Sequence, residues 1–348
     1  MIIEREIFLA DPKEKDMVIQ FLNRFHLTFT GNIAYTMGLF DEGRLIGTGS
    51  LSGRVMRDIA IDQDYQHRGL THRIIRNLQS ESIRRGVTGN QIFTKPQNVP
   101  VFEHMGFHCV AVAEPYAGLL ERGQNTLDDY LSRIRHLLGD GAGIIRGAIV
   151  MNCNPFTLGH RYLIEYASKL CDEVIVFAVQ EDRSLFPFSD RFTLMKQGTH
   201  DLKNVSIVSG GDYIISNATF PTYFIKGTEE LAAQTTLDAT VFATRIAPAL
   251  NITVRFVGDE PTDKTTNAYN DAMKKVFTKN GIALHIIPRK EEENRVISAS
   301  TVRRSLADDD WATVAAMVPP TTLQYLKSDS GKEVIHKIKL LAQMKEKV

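Results

Sequence analysis

At 348 residues the chain is longer than one hydrophobic core usually serves, so two domains of ordinary size are expected. Lys plus Arg and Asp plus Glu each number 41, which excludes a chain-wide field drawing the protein to nucleic acid or an anionic membrane, and makes any nucleotide site local. Cys109, Cys153 and Cys171 are too scattered for a disulfide framework and no Cys/His pair has ligand spacing, so no protein-held metal is expected; MIIEREIFLADPKEKD is acidic where a secretory signal is basic, and without a long apolar run a cytoplasmic protein is expected.

In chain order, closely spaced apolar runs come first: Ile2 to Leu9, Ile33 to Phe40, Leu45 to Leu51, Arg57 to Ile61, Gln91 to Phe93 and Phe107 to Val112. Turns at Asp41-Glu42-Gly43 and Ser52-Gly53 join neighbours as hairpins, giving an α+β domain with a mostly antiparallel sheet. The strand Arg57 to Ile61 leads into Gln66-His67-Arg68-Gly69-Leu70-Thr71, which opens a helical stretch from His72 to Arg84. This loop resembles the acyl-CoA pyrophosphate loop of the acetyltransferase superfamily, and Asn98 to Phe107, a short helix ending in Gly-Phe, resembles that family's second signature. The resemblance implies an acetyltransferase-like (GNAT) domain over residues 1–121, with Gln66, Arg68 and Gly69 holding a pyrophosphate on the N–H groups of a helix start. Thr71 departs from the small residue of the pattern, and no acid or base stands out as catalytic. Three roles stay open for this half: a dock for a CoA-like arm, a working acetyltransferase, or a structural module.

Residues 122–143 form the expected seam. Leu127, Tyr130, Leu131, Ile134 and Leu138 have helical spacing, and Gly139 to Gly143 then break it. From 144 to 348, β-rich and helical stretches alternate: Ile144–Met151, His160–Leu170, Glu173–Val179, Ser189–His200, Val205–Val208, Glu229–Ala249, Ile252–Val257, Thr265–Asn280 and Ala283–Ile287, followed by further helices. Alternation of this kind predicts a five-stranded parallel, Rossmann-like α/β sheet with its ligand at the carboxyl ends of the strands.

At the first βα junction, Asn154-Pro155 makes a turn and Thr157-Leu158-Gly159-His160 opens an amphipathic helix. A helix start offers unpaired N–H groups and a positive dipole end to phosphates; Gly159 allows close backbone approach and His160 supplies a ring donor. After the fifth strand comes Ile297-Ser298-Ala299-Ser300-Thr301-Val302-Arg303, where Ser298 is placed to cap a helix and Ser300 and Arg303 share one face. Each residue alone reads more simply as an ordinary cap, core or surface residue; their joint placement after strands one and five favours a site.

These paired signatures resemble the T/H-x-G-H and I-S-x-S-x-x-R motifs of the nucleotidyltransferase superfamily. The resemblance implies ATP as substrate, with Thr157, His160 and Arg303 catalytic, Asn154, Gly159, Ser298 and Ser300 binding the nucleotide, and Mg²⁺ bridging phosphate oxygens. Arg191 is open between holding an anion and being an exposed helix charge. Phe186 to Arg191, Ser209 to Tyr213, Gly258 to Pro261 and Tyr269-Asn270 resemble the citrate lyase ligases over essentially the full length. That likeness implies acetate activated as acetyl-AMP, then transfer of the acetyl to the phosphoribosyl-dephospho-CoA thiol on the acyl-carrier (gamma) subunit of citrate lyase. From the residues alone, two other readings stay open: an adenylyltransferase acting on a phosphorylated cofactor precursor, and an acetyl-CoA-dependent acetyltransferase with a nucleotide-sensing domain.

Overall fold

The computed structural model describes residues 1–139, 141–180, 184–215, 220–225, 229–259, 264–288, 291–292 and 295–346. It divides into two compact units, one of Met1–Ser132 with Phe220–Val241, the other of Arg133–Thr219 with Phe242–Val348.

The first unit runs β1 (Ile3–Glu6), α1 (Pro12–Asn23), β2 (Tyr35–Asp41), β3 (Arg44–Ser52), β4 (Val55–Ile61), α2 (Leu70–Arg84), β5 (Gly89–Thr94), α3 (Val99–Glu103), β6 (His108–Ala113) and β7 (Ala117–Gly123), with α4 (Leu127–Leu138) crossing into the second unit. Its seven-stranded sheet has the order β1-β2-β3-β4-β5-β7-β6. Every pairing is antiparallel except β4 with β5, which are parallel and register only at Val55↔Gln91 and Met56↔Ile92. Beyond those two pairs the strands separate, which leaves a wedge between them. The expected β2–β3 turn forms, with Glu42 and Gly43 both at positive φ as a tight hairpin demands. Leu70, Ile74, Ile75 and Leu78 face α2 inwards onto Met37, Leu39 and Ile46. Two elements were not expected, α1 and β7. The first carries its own signal, Asp11 capping the N–H of Lys13 with Pro12 next and Val18, Phe21 and Leu22 buried on one face.

The second unit continues with β8 (Arg146–Met151), α5 (Leu158–Leu170), β9 (Glu173–Ala178), α6 (Phe188–Gly198) and β10 (Val205–Ser209). The chain then passes through α7 (Glu229–Val241), which belongs to the first unit, and returns through a π-helical turn at Phe242–Ile246 and α8 (Ala247–Ala249) to β11 (Ile252–Gly258), α9 (Lys264–Lys279) and β12 (Ala283–Ile287). A small ladder, β13 (Glu291–Glu292) with β14 (Arg295–Val296), precedes α10 (Ala299–Ala307), α11 (Trp311–Met317), α12 (Pro320–Lys327) and α13 (Asp329–Glu346). The expected five-stranded sheet is present and wholly parallel, in the order β10-β9-β8-β11-β12. Both faces are covered, which is why β8 and β9 read as near-continuous apolar runs. Strand order reverses at β8 and β11, so their carboxyl ends open the crevice where such sheets take ligands. The helices α10 to α13 build a separate core on Phe186, Ile297, Val302 and Leu306.

One placement differs from the sequence expectation. Residues 220–241 were assigned to the rear half, yet they pack within the first unit. The reason is burial: Phe220 stacks edge-on to Phe93, and Phe220, Tyr223 and Phe224 are all buried. Glu260 and Pro261, part of one stretch of the sequence resemblance, lie outside the described residues.

Candidate active site

A cavity of about 460 Å³ opens at the carboxyl ends of β8, β11 and β12, within the range that holds small-molecule ligands. Met151, Gly258 and Ile287 mark the strand ends, and Asn154, Thr157, Gly159, His160, Ser298, Ser300 and Arg303 line it. The structure therefore brings the two sequence motifs to one place.

Two helix starts converge there. Thr157 caps α5 and its side chain accepts from the N–H of His160 at 3.4 Å, while His160 Nδ1 accepts from the N–H of Thr157 at 3.0 Å. This reciprocal box satisfies donors that a helix start leaves unpaired. It also decides the ring's chemistry: an Nδ1 that accepts from a backbone N–H cannot carry the proton, so the ring's proton sits on Nε2. The ring is held flat against Phe156, 6.0 Å between centroids and 15° between planes. Thr157 is 1 % exposed; it borders the cavity while capping α5 and holding the His160 ring.

At the second helix, Ser298 caps α10 as expected, its hydroxyl accepting from Thr301 N at 3.0 Å and lying 2.9 Å from the hydroxyl of Ser300. Ser300 is exposed at the helix start and Arg303 follows one turn later, half-buried. Gly159 lets the helices meet: a Cβ there would stand 3.0 Å from the carbonyl oxygen of Ile297. Burial pulls the Arg303 guanidinium below its ordinary pKa, but that value is so high that the group stays charged at neutral pH. Its Nη1 donates to the carbonyl of Asn154, which ties α10 to the first βα turn. Asn154 itself lines the cavity, yet its side-chain oxygen accepts from Phe186 N at 3.1 Å and so secures a neighbouring loop.

Arg191 is not the exposed helix charge that one reading of it expected. It is 0 % exposed, lies outside the cavity lining, and donates to three carbonyls: Phe186 at 3.0 Å, Asn152 at 2.7 Å and Val179 at 2.9 Å. The guanidinium satisfies main-chain oxygens of the loops after β8 and β9 that packing has removed from water. Asn152 and Cys153 line the cavity and were not singled out from sequence, although their position at the end of the first strand was the available signal. Burial pushes the Cys153 thiol far up, which makes it inert at neutral pH. Among the described residues no three His, Cys, Asp or Glu side chains group as metal ligands.

A second cavity, about 590 Å³, lies in the first unit between α2, β4 and β5. Gln66, Gly69 and Thr71 line it with Asn98, Phe102 and Met105. Gly69 takes a left-handed φ of 71° and no side chain caps α2, so its first N–H groups point out beside the loop. Arg68 is absent from this lining; it donates to the Asp64 carbonyl at 2.8 Å and stacks over Tyr65. Tyr223 and Phe224 complete the wall, from the segment expected elsewhere.

Comparison with known proteins covers both halves. The family model for the citrate lyase ligase C-terminal domain matches residues 146–326, and that for the acetyltransferase (GNAT) domain matches 16–119. A [citrate [pro-3S]-lyase] ligase of Haemophilus influenzae is 39 % identical over 327 residues, covering 91 % of this chain and 96 % of that protein. Proteins of the same name from Klebsiella pneumoniae and Escherichia coli (strain K12) are 37 % and 34 % identical, covering 94 % and 92 % of this chain and 96 % and 92 % of their own. Among solved structures, an acyl-CoA N-acyltransferase from Pseudomonas aeruginosa covers 35 % of this chain and 100 % of itself, at 15 % identity and a TM-score of 0.32.

Proposed function

This chain belongs to the citrate lyase ligase family, and from that premise we propose that its second unit joins acetate to the AMP part of ATP and passes the acetyl to a thiol on citrate lyase. The observation that carries the reading is the meeting of two helix starts, α5 and α10, at one cavity with His160, Ser300 and Arg303 along it. Helix N-termini and a guanidinium suit a polyphosphate, and the relatives' names supply the ligase class and the citrate lyase partner.

In the first step a carboxylate oxygen of acetate attacks the α-phosphorus. The bond from that phosphorus to the bridging oxygen of the β-phosphate breaks, and pyrophosphate leaves with the electron pair. Arg303, Ser300 and the N–H groups at the two helix starts hold the β- and γ-phosphates, and the Nε2–H of His160 donates to charge growing on the leaving oxygen. A lining of hydroxyls, amides and one guanidinium suits phosphates rather than a bare cation, so Mg²⁺ would come with the nucleotide and would supply charge neutralisation there. In the second step the thiol sulfur of the phosphoribosyl-dephospho-CoA arm on the acyl-carrier subunit attacks the acetyl carbon. The carbon–oxygen bond to AMP breaks, AMP leaves, and the thiol proton passes to water.

The first unit docks that arm in this reading. The loop with Gln66 and Gly69 and the uncapped start of α2 receive its pyrophosphate, and the cavity receives the pantetheine part. The cytoplasm, where ATP is plentiful, is the setting.

The test is isotope exchange between pyrophosphate and ATP, screened over small carboxylates, followed by thioester formation on the carrier subunit. Exchange that depends on acetate, with acetylated carrier as product, is expected. Exchange driven by a phosphorylated cofactor precursor instead of acetate would overturn the reading.

A further inference from the structure

At its narrow end the wedge in the first unit meets the side chain of Tyr223, with Phe224 beside it in the lining. β4 and β5 register for the last time at Met56↔Ile92, so Arg57 and Phe93 are the first residues past the point of separation. Tyr223 bridges them: its hydroxyl donates to the Phe93 carbonyl at 2.9 Å, and its ring lies 4.6 Å from the Arg57 guanidinium carbon. The main chain of Tyr223 is fastened too, its carbonyl accepting from Thr28 N at 2.8 Å. A strand that loses its neighbour leaves a buried carbonyl without a partner, and here the tyrosine supplies the missing donor.

We infer that Tyr223 makes this cavity selective for a free thiol over an acyl thioester. The inference rests on the reading that the cavity receives the CoA-like arm. With the phosphates at the start of α2, beyond the carboxyl end of β4, the arm runs into the wedge towards its narrow end, and the thiol arrives at Tyr223. An acetyl group on that sulfur adds a carbonyl and a methyl that continue into the space held by the ring. The ring cannot swing aside without breaking the bond to Phe93 and leaving that carbonyl orphaned. The unacetylated carrier is therefore held and the acetylated product released. For the same reason the first unit is no acetyl-CoA-dependent transferase: the place where a thioester carbonyl would meet an acceptor is filled.

The experiment is calorimetric binding of dephospho-CoA and of acetyl-dephospho-CoA to the full chain and to Tyr223→Phe and Tyr223→Ala. Wild type should bind the free thiol about tenfold or more tightly than the thioester, a difference set by exclusion of a few atoms from a packed wall. Tyr223→Phe, whose ring is no longer tied to the Phe93 carbonyl, loses part of the preference, and Tyr223→Ala brings the two ligands to within roughly threefold by admitting the acetyl group. Equal binding of both ligands to wild type would overturn the selectivity while leaving the arm-docking reading standing. Binding of neither ligand would overturn the docking reading itself. Should Tyr223→Ala fail to fold, the wild-type ratio alone decides.

Discussion

Arg303 donates a hydrogen bond to the main-chain carbonyl of Asn154, 149 residues earlier in the chain. The residue expected to hold phosphate thus also braces the turn that delivers Thr157 to His160, the other motif expected to do so. Replacing it with lysine should harm the site twice, because a single ammonium cannot hold both the carbonyl and an anion as a planar fork does. A rise in KM for ATP with a fall in kcat, together at least about tenfold in kcat/KM, is the expected result of steady-state kinetics.

His160→Ala should behave differently. A donor placed at the leaving pyrophosphate acts mainly in the transition state, and losing one such donor costs about 2–4 kcal/mol. Pyrophosphate exchange should slow by that amount while ATP binding, measured by calorimetry, changes little. A variant with near-normal exchange would remove His160 from the chemistry. Thr157→Ala, which takes away the cap and the hydroxyl beside Nδ1 at 2.9 Å, should reproduce part of the loss with the ring still present.

Arg191→Leu is expected to be a stability variant rather than a binding variant. It keeps much of the volume but strands the carbonyls of Phe186, Asn152 and Val179. Burying acceptors without partners should cost roughly 3 kcal/mol or more, read as a lowered urea midpoint for the second unit. If Arg191→Leu unfolds like wild type but binds ATP poorly, the side chain serves the ligand after all.

Asp58 gives the first unit a pH dependence with a defined sign. Burial pushes its carboxyl up to about 6, and the adjacent Arg57, at 3.0 Å, only partly offsets that. The folded state therefore holds a proton that the unfolded chain has already released above the ordinary carboxylate pKa. The contribution of this group to stability falls as pH rises between about 4 and 6, by an amount on the order of 3 kcal/mol. Asp58→Asn cannot ionise, so the stability difference between wild type and variant should move in the variant's favour over that interval and level off above it. Urea unfolding at pH 4.5, 5.5 and 7 checks this; a constant difference would place the carboxyl in a wetter setting.

Removing residues 1–140 tests how the segment after β10 is held. Every residue lining the cavity of the second unit would remain, but Phe220, Tyr223 and Phe224 would lose Phe93, Arg57 and Thr28. The fragment should bind 1-anilinonaphthalene-8-sulfonate and self-associate, because buried aromatic surface becomes accessible. A monodisperse fragment that leaves the dye dark would mean that this segment folds with the second unit alone.

The sequence by itself determined the local features: the alternation that makes β8 to β12 a parallel sheet, the helix opening at Thr157 to His160, the cap Ser298, and the hairpin turn at Glu42-Gly43. Each depends on neighbours a few residues apart, so period and turn chemistry suffice to read it. The two motifs after strands one and five were legible for the same reason, and their place at strand ends hinted that they meet. That they meet through Gly159 and Ile297 was decided only by packing. So was the role of Arg191, since one arginine in a helix looks alike whether it faces water or three buried carbonyls. Residues 220–225 carried no local sign of their destination; burying those aromatics against β4 and β5, about 130 residues away in sequence in the bond from Tyr223 to Phe93, fixed it. Long-range burial of this kind is set by what shape remains to be filled, and a one-dimensional pattern does not contain that shape.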